Sequence, residues 1–173
     1  IVVKGPVVTK EYFNRPEATT LAKIYSSNKK EVWHRMGDLG KFDQQGRLWF
    51  CGRKSHRVVT PHGTLFTIPC EAIFNQHPRV YRSALVGIGK LGQQIPAICI
   101  ELEPNDNKQN LEKLQSELLE LAKKFPHTSY IEVIFFYPES FPVDVRHNAK
   151  INREQLAIWA TKKYKEIFPN AHI

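Results

Sequence analysis

The densest group of basic side chains lies in the segment Arg53-Lys54-Ser55-His56-Arg57. Closely spaced cations favour binding of a polyanion, because each one lowers the electrostatic cost of bringing phosphate or carboxylate groups together. The residues alone leave three interpretations open: a nucleic-acid surface, a site for a smaller polyanion such as a nucleotide, or a solvated hinge. No RNP, KH or zinc-knuckle pattern accompanies the cluster, which makes nucleic-acid binding the least favoured of the three.

The common catalytic signatures are absent from the sequence. It contains no GxxxxGK[ST] phosphate loop, no GxSxG nucleophile elbow and no HExxH zinc motif. The 7 histidines never occur at metal-ligand spacing with the 3 cysteines. Cys51, Cys70 and Cys99 have apolar flanks, so we expect buried packing residues rather than reactive thiols. An odd number of cysteines without a CxxC pair also fits a reducing cytoplasm better than a disulfide framework.

The composition is that of a folded globular protein. Of 173 residues, 42% are apolar and 24% are charged, and 25 basic against 17 acidic side chains give a net charge of +8. This composition excludes a disordered chain, and the longest apolar run, Val133–Tyr137, is too short to span a membrane. The chain opens on Ile1 in a strand-like run, without an initiator methionine or a signal peptide. We therefore expect it to be cut from something longer.

Turn residues and apolar patterns divide the chain near Arg53. Three strand-like segments joined by turn residues precede this point: Val32–Met36, Leu39–Asp43 and Arg47–Cys51. They predict a small antiparallel β unit. A helix-like stretch over Glu11–Ile24 contains Pro16, which argues against one continuous helix.

Beyond Arg53 the predicted order of elements is β, α, β, β, α, β, α. This order indicates an α+β fold in which a sheet is flanked by helices. The predicted elements are a hairpin-like stretch ending at Thr67, a helix from about Pro69, strands at Tyr81–Ile88, Ile95–Glu103 and Tyr130–Tyr137, and helices at Lys108–Lys124 and Arg153–Ile167. Leucines at three- and four-residue steps make the Lys108–Lys124 helix amphipathic.

A series of short sequence elements runs through the chain in a particular order and spacing. They are Gly5-Pro6, Tyr12, Pro16-Glu17, Thr19, Met36–Arg53, Pro69–Ile73 and Asn148–Leu156. Together they resemble the C-terminal third of the adenylate-forming (AMP-binding) superfamily of acyl-CoA synthetases, luciferases and peptide-synthetase adenylation domains. The strongest segment, Met36–Arg53, is similar to the family's TGDLGxxDxxGxLxxxGR run, with Met36 in place of threonine.

The resemblance implies an enzyme that joins a carboxylate to ATP, with Mg²⁺, to give an acyl-adenylate and pyrophosphate. The acyl group then usually passes to a thiol, here CoA. Residues 1–53 would close the large N-terminal AMP-binding domain, and residues 54–173 would form the small mobile C-terminal domain with the catalytic lysine. The family's phosphate loop and acyl pocket lie upstream, so ATP and Mg²⁺ would be bound mainly outside this chain. The fragment alone should therefore be inactive.

The resemblance also assigns roles to single residues. Asp38 matches the ribose-binding aspartate, where a carboxylate accepts hydrogen bonds from both vicinal hydroxyls, and Arg53 matches an arginine near the same ribose. Ser55 occupies the hinge position, which is usually Asp or Lys. Lys150 matches the catalytic lysine, whose cation would bridge the substrate carboxylate and the α-phosphate. Considered without the resemblance, Asp38 is better explained as a turn residue. Arg53 would then be a surface arginine at a strand end, and Lys150 an exposed lysine ahead of a helix.

One loop replaces the family segment against which the pantetheine of CoA packs. It comprises Gly63, Thr64, Leu65 and Phe66. Gly63 is one residue away from the usual glycine, and the arginine that follows this glycine in some members is missing. The family usually has glycine where this chain has Ala149, just before the lysine. Thiol transfer is therefore a weaker expectation than adenylation.

Three stretches narrow the resemblance to a subgroup: Trp49–Lys54, Gly63–Asn75 and Pro142–Ile151. They look most like long-chain fatty-acid ligases and the β-lactone synthetases of olefin biosynthesis. In the latter, the adenylate of a β-hydroxy acid is attacked by its own hydroxyl, which closes a β-lactone without CoA. We expect first a long-chain fatty-acid:CoA ligase and second such a lactone synthetase. The alternative from another class is a basic binding module for RNA or an acidic partner.

Overall fold

A computed structural model describes residues 1–28, 30–145 and 150–171. Ala149, the residue before the matched lysine, lies outside these ranges. The chain divides into two compact units, Ile1–Ser55 and His56–Ile173. The predicted boundary at residues 53/54 falls close to this division, and the assignment of the units to domains of a longer enzyme stays a prediction. In the described ranges, no helix has the length and apolar character that crossing a membrane requires.

The first unit is built from short antiparallel strands and one helix. Its elements are β1 (Val2–Val3), α1 (Pro16–Ala22), β2 (Lys23–Tyr25), β3 (Val32–Arg35), β4 (Asp38–Phe42) and β5 (Leu48–Arg53). Strands β1, β3 and β2 form one antiparallel sheet, and β4 pairs antiparallel with β5. The predicted segments Leu39–Asp43 and Arg47–Cys51 thus form an antiparallel pair as expected, whereas Val32–Met36 pairs with β1 and β2 in a separate sheet and not with the other two. Pro16 begins helix α1 rather than interrupting one, because a first-turn residue needs no N–H donor.

The second unit has the predicted α+β architecture. After a 3₁₀ turn at Lys54–His56, its elements are β6 (Val58–Thr60), β7 (Gly63–Leu65), α2 (Thr67–Phe74), β8 (Val80–Ile88), β9 (Ile95–Leu102), α3 (Leu111–Lys123), β10 (Val133–Phe136), β11 (Val143–Asp144), β12 (Lys150–Ile151) and α4 (Arg153–Ile167). The main sheet has the order β10-β9-β8, with β8 antiparallel and β10 parallel to β9. Helix α2 begins at Thr67 instead of Pro69, and the short β11–β12 pair was not predicted.

The core lies on both faces of this sheet. Leu85 and Ile98 point into a cluster with α2 and α3, whereas Ala84 and Cys99, their neighbours along the strands, point into a cluster with α4. This alternation follows from the two-residue period of a β-strand. Because both faces are covered, β8 and β9 have the nearly continuous apolar sequences by which they were predicted. Helix α4 is thereby held against the sheet, directly after Lys150.

The cysteines are packing residues, with one exception. Cys70 and Cys99 are buried, and burial raises the pKa of each thiol to about 12. Cys51 on β5 is only partly buried, so the prediction of a buried packing role is confirmed for Cys70 and Cys99 and is too strong for Cys51.

Candidate adenylation site

Asp38 and Arg53 form an ion pair at the open end of β4 and β5. They are partners in the register of this antiparallel pair. Arg53 Nη1 donates to Asp38 Oδ1 at 3.0 Å and to the carbonyl oxygen of Met36 at 2.9 Å. The side chains remain 22% exposed for Asp38 and 47% exposed for Arg53. Since a carboxylate has about four acceptor positions, Asp38 retains capacity for hydrogen bonds from a ligand.

Glycines shape the backbone around this ion pair. Gly37 and Gly52 have φ angles of +73° and +111°, which side chains with a Cβ rarely adopt. A Cβ on Gly40 would lie 3.0 Å from the carbonyl oxygen of Trp49 and 2.9 Å from Cδ1 of Leu48. The glycine spacing of the Met36–Arg53 motif is therefore required by the backbone that brings the aspartate and the arginine together.

The turn between β4 and β5 is fixed by Asp43. Its carboxylate accepts hydrogen bonds from Trp49 Nε1 at 2.8 Å, from Arg47 Nε at 2.7 Å and from the backbone N–H groups of Gln45 and Arg47. The hydrogen bond from Trp49, together with those from Arg47 and Gln45, lowers the pKa of Asp43 to about 2. This aspartate holds the far end of the strand pair, so its carboxylate has a structural role, whereas that of Asp38 remains partly exposed.

Lys150 lies at the start of β12, exposed, immediately before helix α4. Strand β12 pairs antiparallel with β11, and the register places Asp144 directly opposite Lys150. The residue after the strand, Asn152, caps α4 by accepting a hydrogen bond from the Gln155 N–H at 3.1 Å. The lysine therefore stands on a short strand pair that is continuous with a capped, packed helix.

The hinge residue and the proposed CoA loop have different surroundings. Ser55 lies within the 3₁₀ turn and is the last residue of the first unit. Gly63 and Thr64 are exposed at the beginning of β7, and Gly63 has a φ of +137°. Leu65 is buried in the core and Phe66 immediately precedes α2. Any ligand at this loop would meet Gly63 and Thr64 first.

The structure brings together some of the predicted site residues and keeps others in separate units. Asp38 and Arg53 meet in the first unit, while Lys150 and the Gly63–Phe66 loop belong to the second. Within the described ranges, no group of 3 or more His, Cys, Asp or Glu residues is arranged to hold a metal ion. None of the described residues is therefore assigned to Mg²⁺.

The second unit contains a buried ion pair that the sequence did not predict. Glu71 of α2 accepts hydrogen bonds from Arg153 Nη2 at 2.8 Å and 2.6 Å, on its two carboxylate oxygens. Both residues lie within the motif segments, but the pair joins positions 82 residues apart. A local pattern cannot show such a contact.

A β4–β5 pair carrying an Asp–Arg ion pair, followed by a small α+β unit with an exposed lysine ahead of its last helix, is the arrangement that the sequence resemblance predicts for the C-terminal part of an adenylate-forming enzyme. No protein-family model matches the chain. The chain is 51% identical over 166 residues to an olefin beta-lactone synthetase of Xanthomonas campestris and 46% identical over 169 residues to one of Stenotrophomonas maltophilia. These matches cover 94% and 96% of this chain and 30% of each relative.

A solved structure also matches most of the chain. The O-succinylbenzoate coenzyme A synthetase of Bacillus subtilis, in complex with AMP, matches with a TM-score of 0.67 and 25% identity, over 90% of this chain and 29% of that one. The chain belongs to the adenylate-forming (AMP-binding) superfamily and corresponds to its C-terminal part. It spans about 30% of the length of the curated relatives named above.

Proposed function

We propose that the full-length protein activates a carboxylic acid as its acyl-adenylate. An oxygen of the acid's carboxylate attacks the α-phosphorus of ATP. The bond between this phosphorus and the oxygen bridging to the β-phosphate breaks, and pyrophosphate leaves with the bonding electrons. This chain would supply ribose contacts from Asp38 and Arg53, the hinge Ser55 and the cation of Lys150. The phosphate loop, the Mg²⁺ site and the acyl pocket would come from the rest of the protein.

Lys150 is proposed as the catalytic cation. Negative charge of the carboxylate and the α-phosphate must approach during the attack, and a positioned cation lowers the energy of this arrangement. A lysine suits the task because its charge is compact and stands on a long stem. The exposure of Lys150 at the start of β12 leaves the ammonium outside the core, where it can meet a ligand.

Asp38 and Arg53 are proposed to hold the ribose. The Asp38 carboxylate would accept hydrogen bonds from the two ribose hydroxyls, while Arg53 fixes its orientation through the 3.0 Å contact. The B. subtilis relative, which is bound to AMP, supports a nucleotide as the ligand of this fold.

The choice of product rests on sequence identity. The chain is 51% and 46% identical to two olefin beta-lactone synthetases over nearly its whole length. We take the acid to be a long-chain β-hydroxy acid. Its hydroxyl oxygen would attack the carbonyl carbon of the adenylate, a new C–O bond would close the β-lactone, and AMP would leave while the hydroxyl proton passes to solvent. The lactone thus takes precedence over the CoA thioester that was expected first.

The second candidate is a CoA ligase acting on a long-chain fatty acid. Its support is the likeness to a coenzyme A synthetase and the exposure of Gly63 and Thr64 on the proposed pantetheine loop. In this case the thiol of CoA, and not an internal hydroxyl, would attack the adenylate.

Pyrophosphate exchange in the full-length protein tests these proposals. We expect exchange into ATP that depends on a long-chain β-hydroxy acid, together with AMP and a β-lactone in the absence of CoA. An adenylate that turns over only with CoA would favour the second candidate, and no exchange with any carboxylate would overturn adenylation.

Lys150→Ala should abolish exchange with an unchanged circular dichroism spectrum. The matched control is Lys124→Ala, which removes another exposed lysine of the same unit.

A further inference from the structure

The segment that leads into β11 is tied to a buried carboxylate. The backbone N–H of Phe141 donates to Glu101 Oε2 at 3.0 Å, and Arg82 donates to the same oxygen. Glu101 lies in β9, the central strand of the main sheet, and is 5% exposed. The guanidinium of Arg82 also lies over the ring of Phe141, 5.5 Å from its centroid. The entrance to the strand pair is therefore fixed to the central strand of the main sheet.

The segment that leaves β12 is tied to a second buried carboxylate. Arg153, the first residue of α4, binds both oxygens of Glu71, which is 6% exposed in α2. The backbone N–H of Leu85 in β8 donates to the same carboxylate at 2.8 Å. The start of α4 is thus joined to α2 and to the sheet through one side chain.

A backbone hydrogen bond closes the base of the strand pair between these two ties. The N–H of Asn152 donates to the carbonyl oxygen of Pro142 at 2.7 Å. Lys150 lies two residues before Asn152 and projects from an element only two residues long. Strands of this length have little stability of their own, so their position must come from the contacts of the two segments that join the base of the pair to the rest of the unit.

Burial of these carboxylates is a poor way to gain stability. Moving an ion pair out of water costs roughly as much free energy as the attraction between the two charges supplies. Apolar residues in place of such a pair often leave the stability unchanged. In agreement with this, burial raises the pKa of Glu71 although Arg153 opposes the rise. What a buried, multiply bonded carboxylate does supply is a defined geometry.

We propose that Glu71 and Glu101 are positioning residues for Lys150, acting through Arg153 and through the backbone of Phe141. This inference rests on the proposed role of Lys150 in adenylation. The two carboxylates hold the two chain segments at the base of the β11–β12 pair, one to α2 and the other to β9, and thereby set where the ammonium lies when the acid meets ATP. A displacement of about 1 Å from a productive geometry can lower a rate by as much as a hundredfold.

The test compares variants of the full-length protein in pyrophosphate exchange. Glu71→Gln keeps the shape and the acceptor for Leu85 N–H but removes the charge that holds Arg153. We expect kcat for exchange to fall about tenfold or more, with KM for ATP and for the acid within about twofold of wild type. Glu101→Gln should give the same split, and it serves as the second variant if Glu71→Gln does not fold.

The matched control is Asp106→Asn. Asp106 forms a partly buried ion pair with Arg79 at 2.6 Å and 2.8 Å, in the same unit, without a described contact to the β11–β12 pair. This variant should lose thermal stability and keep the exchange kcat. A Glu71→Gln kcat equal to that of Asp106→Asn would overturn the proposal.

A second readout separates positioning from general damage. When the acyl-adenylate is supplied ready-made, Lys150 has no step to perform, so Glu71→Gln and Glu101→Gln should convert it at the wild-type rate. An equal loss in both half-reactions would mean that the carboxylates only stabilise the fold, which would overturn the proposal. Failure of the proposed function itself would be recognised separately, because wild-type protein would then show no exchange or Lys150→Ala would retain it.

Discussion

Asp38 and Arg53 face each other across β4 and β5, and the same Nη1 of Arg53 that binds the Asp38 carboxylate also binds the Met36 carbonyl oxygen. The arginine is thereby anchored to the backbone next to the residue that it orients. The carboxylate is presented by a rigid frame while it remains partly exposed. Such an arrangement suits recognition of a diol, in which two hydroxyls must meet one carboxylate in a defined orientation.

The first prediction concerns this carboxylate. Asp38→Ala in the full-length protein should lower the affinity for ATP about 10- to 100-fold, because hydrogen bonds to a charged group contribute about 1.5–3 kcal/mol. The variant should also lose its preference for ATP over 2′,3′-dideoxy-ATP, as measured by calorimetric titration. Asp43→Ala is the matched control: it removes a carboxylate of the same strand pair that binds only Trp49, Arg47 and turn N–H groups. Retention of the ribose preference by Asp38→Ala would contradict the assignment.

The second prediction concerns the thiols. Because burial raises the pKa of Cys70 and Cys99 to about 12, almost no reactive thiolate is present near pH 8. Both should resist iodoacetamide in the native chain and react after unfolding in urea, as followed by peptide mapping. Cys51, which is partly exposed, should react faster than either under native conditions. Native alkylation of Cys70 or Cys99 at the rate seen in urea would show that the second unit is not packed as described.

Elements with a strong local pattern were predictable from the sequence. The bounds of α4, Arg153–Ile167, agree with the prediction because Asn152 supplies a helix cap and the apolar positions repeat through the segment. Strands β8 and β9 were recognised because both of their faces are largely buried, which makes their sequences predominantly apolar.

Features that depend on distant contacts were not predictable. Strands β11 and β12 have two residues each, too few for any periodicity, and they exist because Val143 pairs with Ile151 and Asp144 with Lys150. The Glu71–Arg153 pair joins two helices, and nothing in either local sequence indicates the partner. Asp38 and Arg53 were recognised only through the family motif, since the residue types alone favoured a turn aspartate and were consistent with a surface arginine at a strand end.

The third prediction concerns Gly40, which lies at the bulge between β4 and β5. Its Cβ in Gly40→Ala would meet the Trp49 carbonyl oxygen at 3.0 Å, and a backbone atom of a paired strand cannot easily move away. We expect a destabilisation of about 1–3 kcal/mol, typical of overpacking, seen as a lower Tm and weaker ATP binding. Gly46→Ala is the control, because a Cβ there would meet nothing within 4 Å and only its φ of +75° is unfavourable. A smaller effect at Gly40 than at Gly46 would contradict the described strand pairing.

The fourth prediction is a pH dependence of stability at the Arg79–Asp106 pair. Hydrogen bonds from Arg79 and from the Lys108 N–H hold the pKa of Asp106 below its ordinary value of 3.8. A carboxyl whose pKa is lower in the folded state contributes stability that is fully present above the unfolded-state pKa and is lost as the pH falls through the folded-state pKa. Asp106→Asn should therefore destabilise the protein at pH 7 by about 1 kcal/mol, because the pair is only partly buried and solvent screens it. The Tm difference from wild type should remain the same at pH 5 and shrink below about pH 4. A difference that grows on acidification would have the wrong sign for a stabilised carboxylate, and would show that this ion pair is not formed in solution.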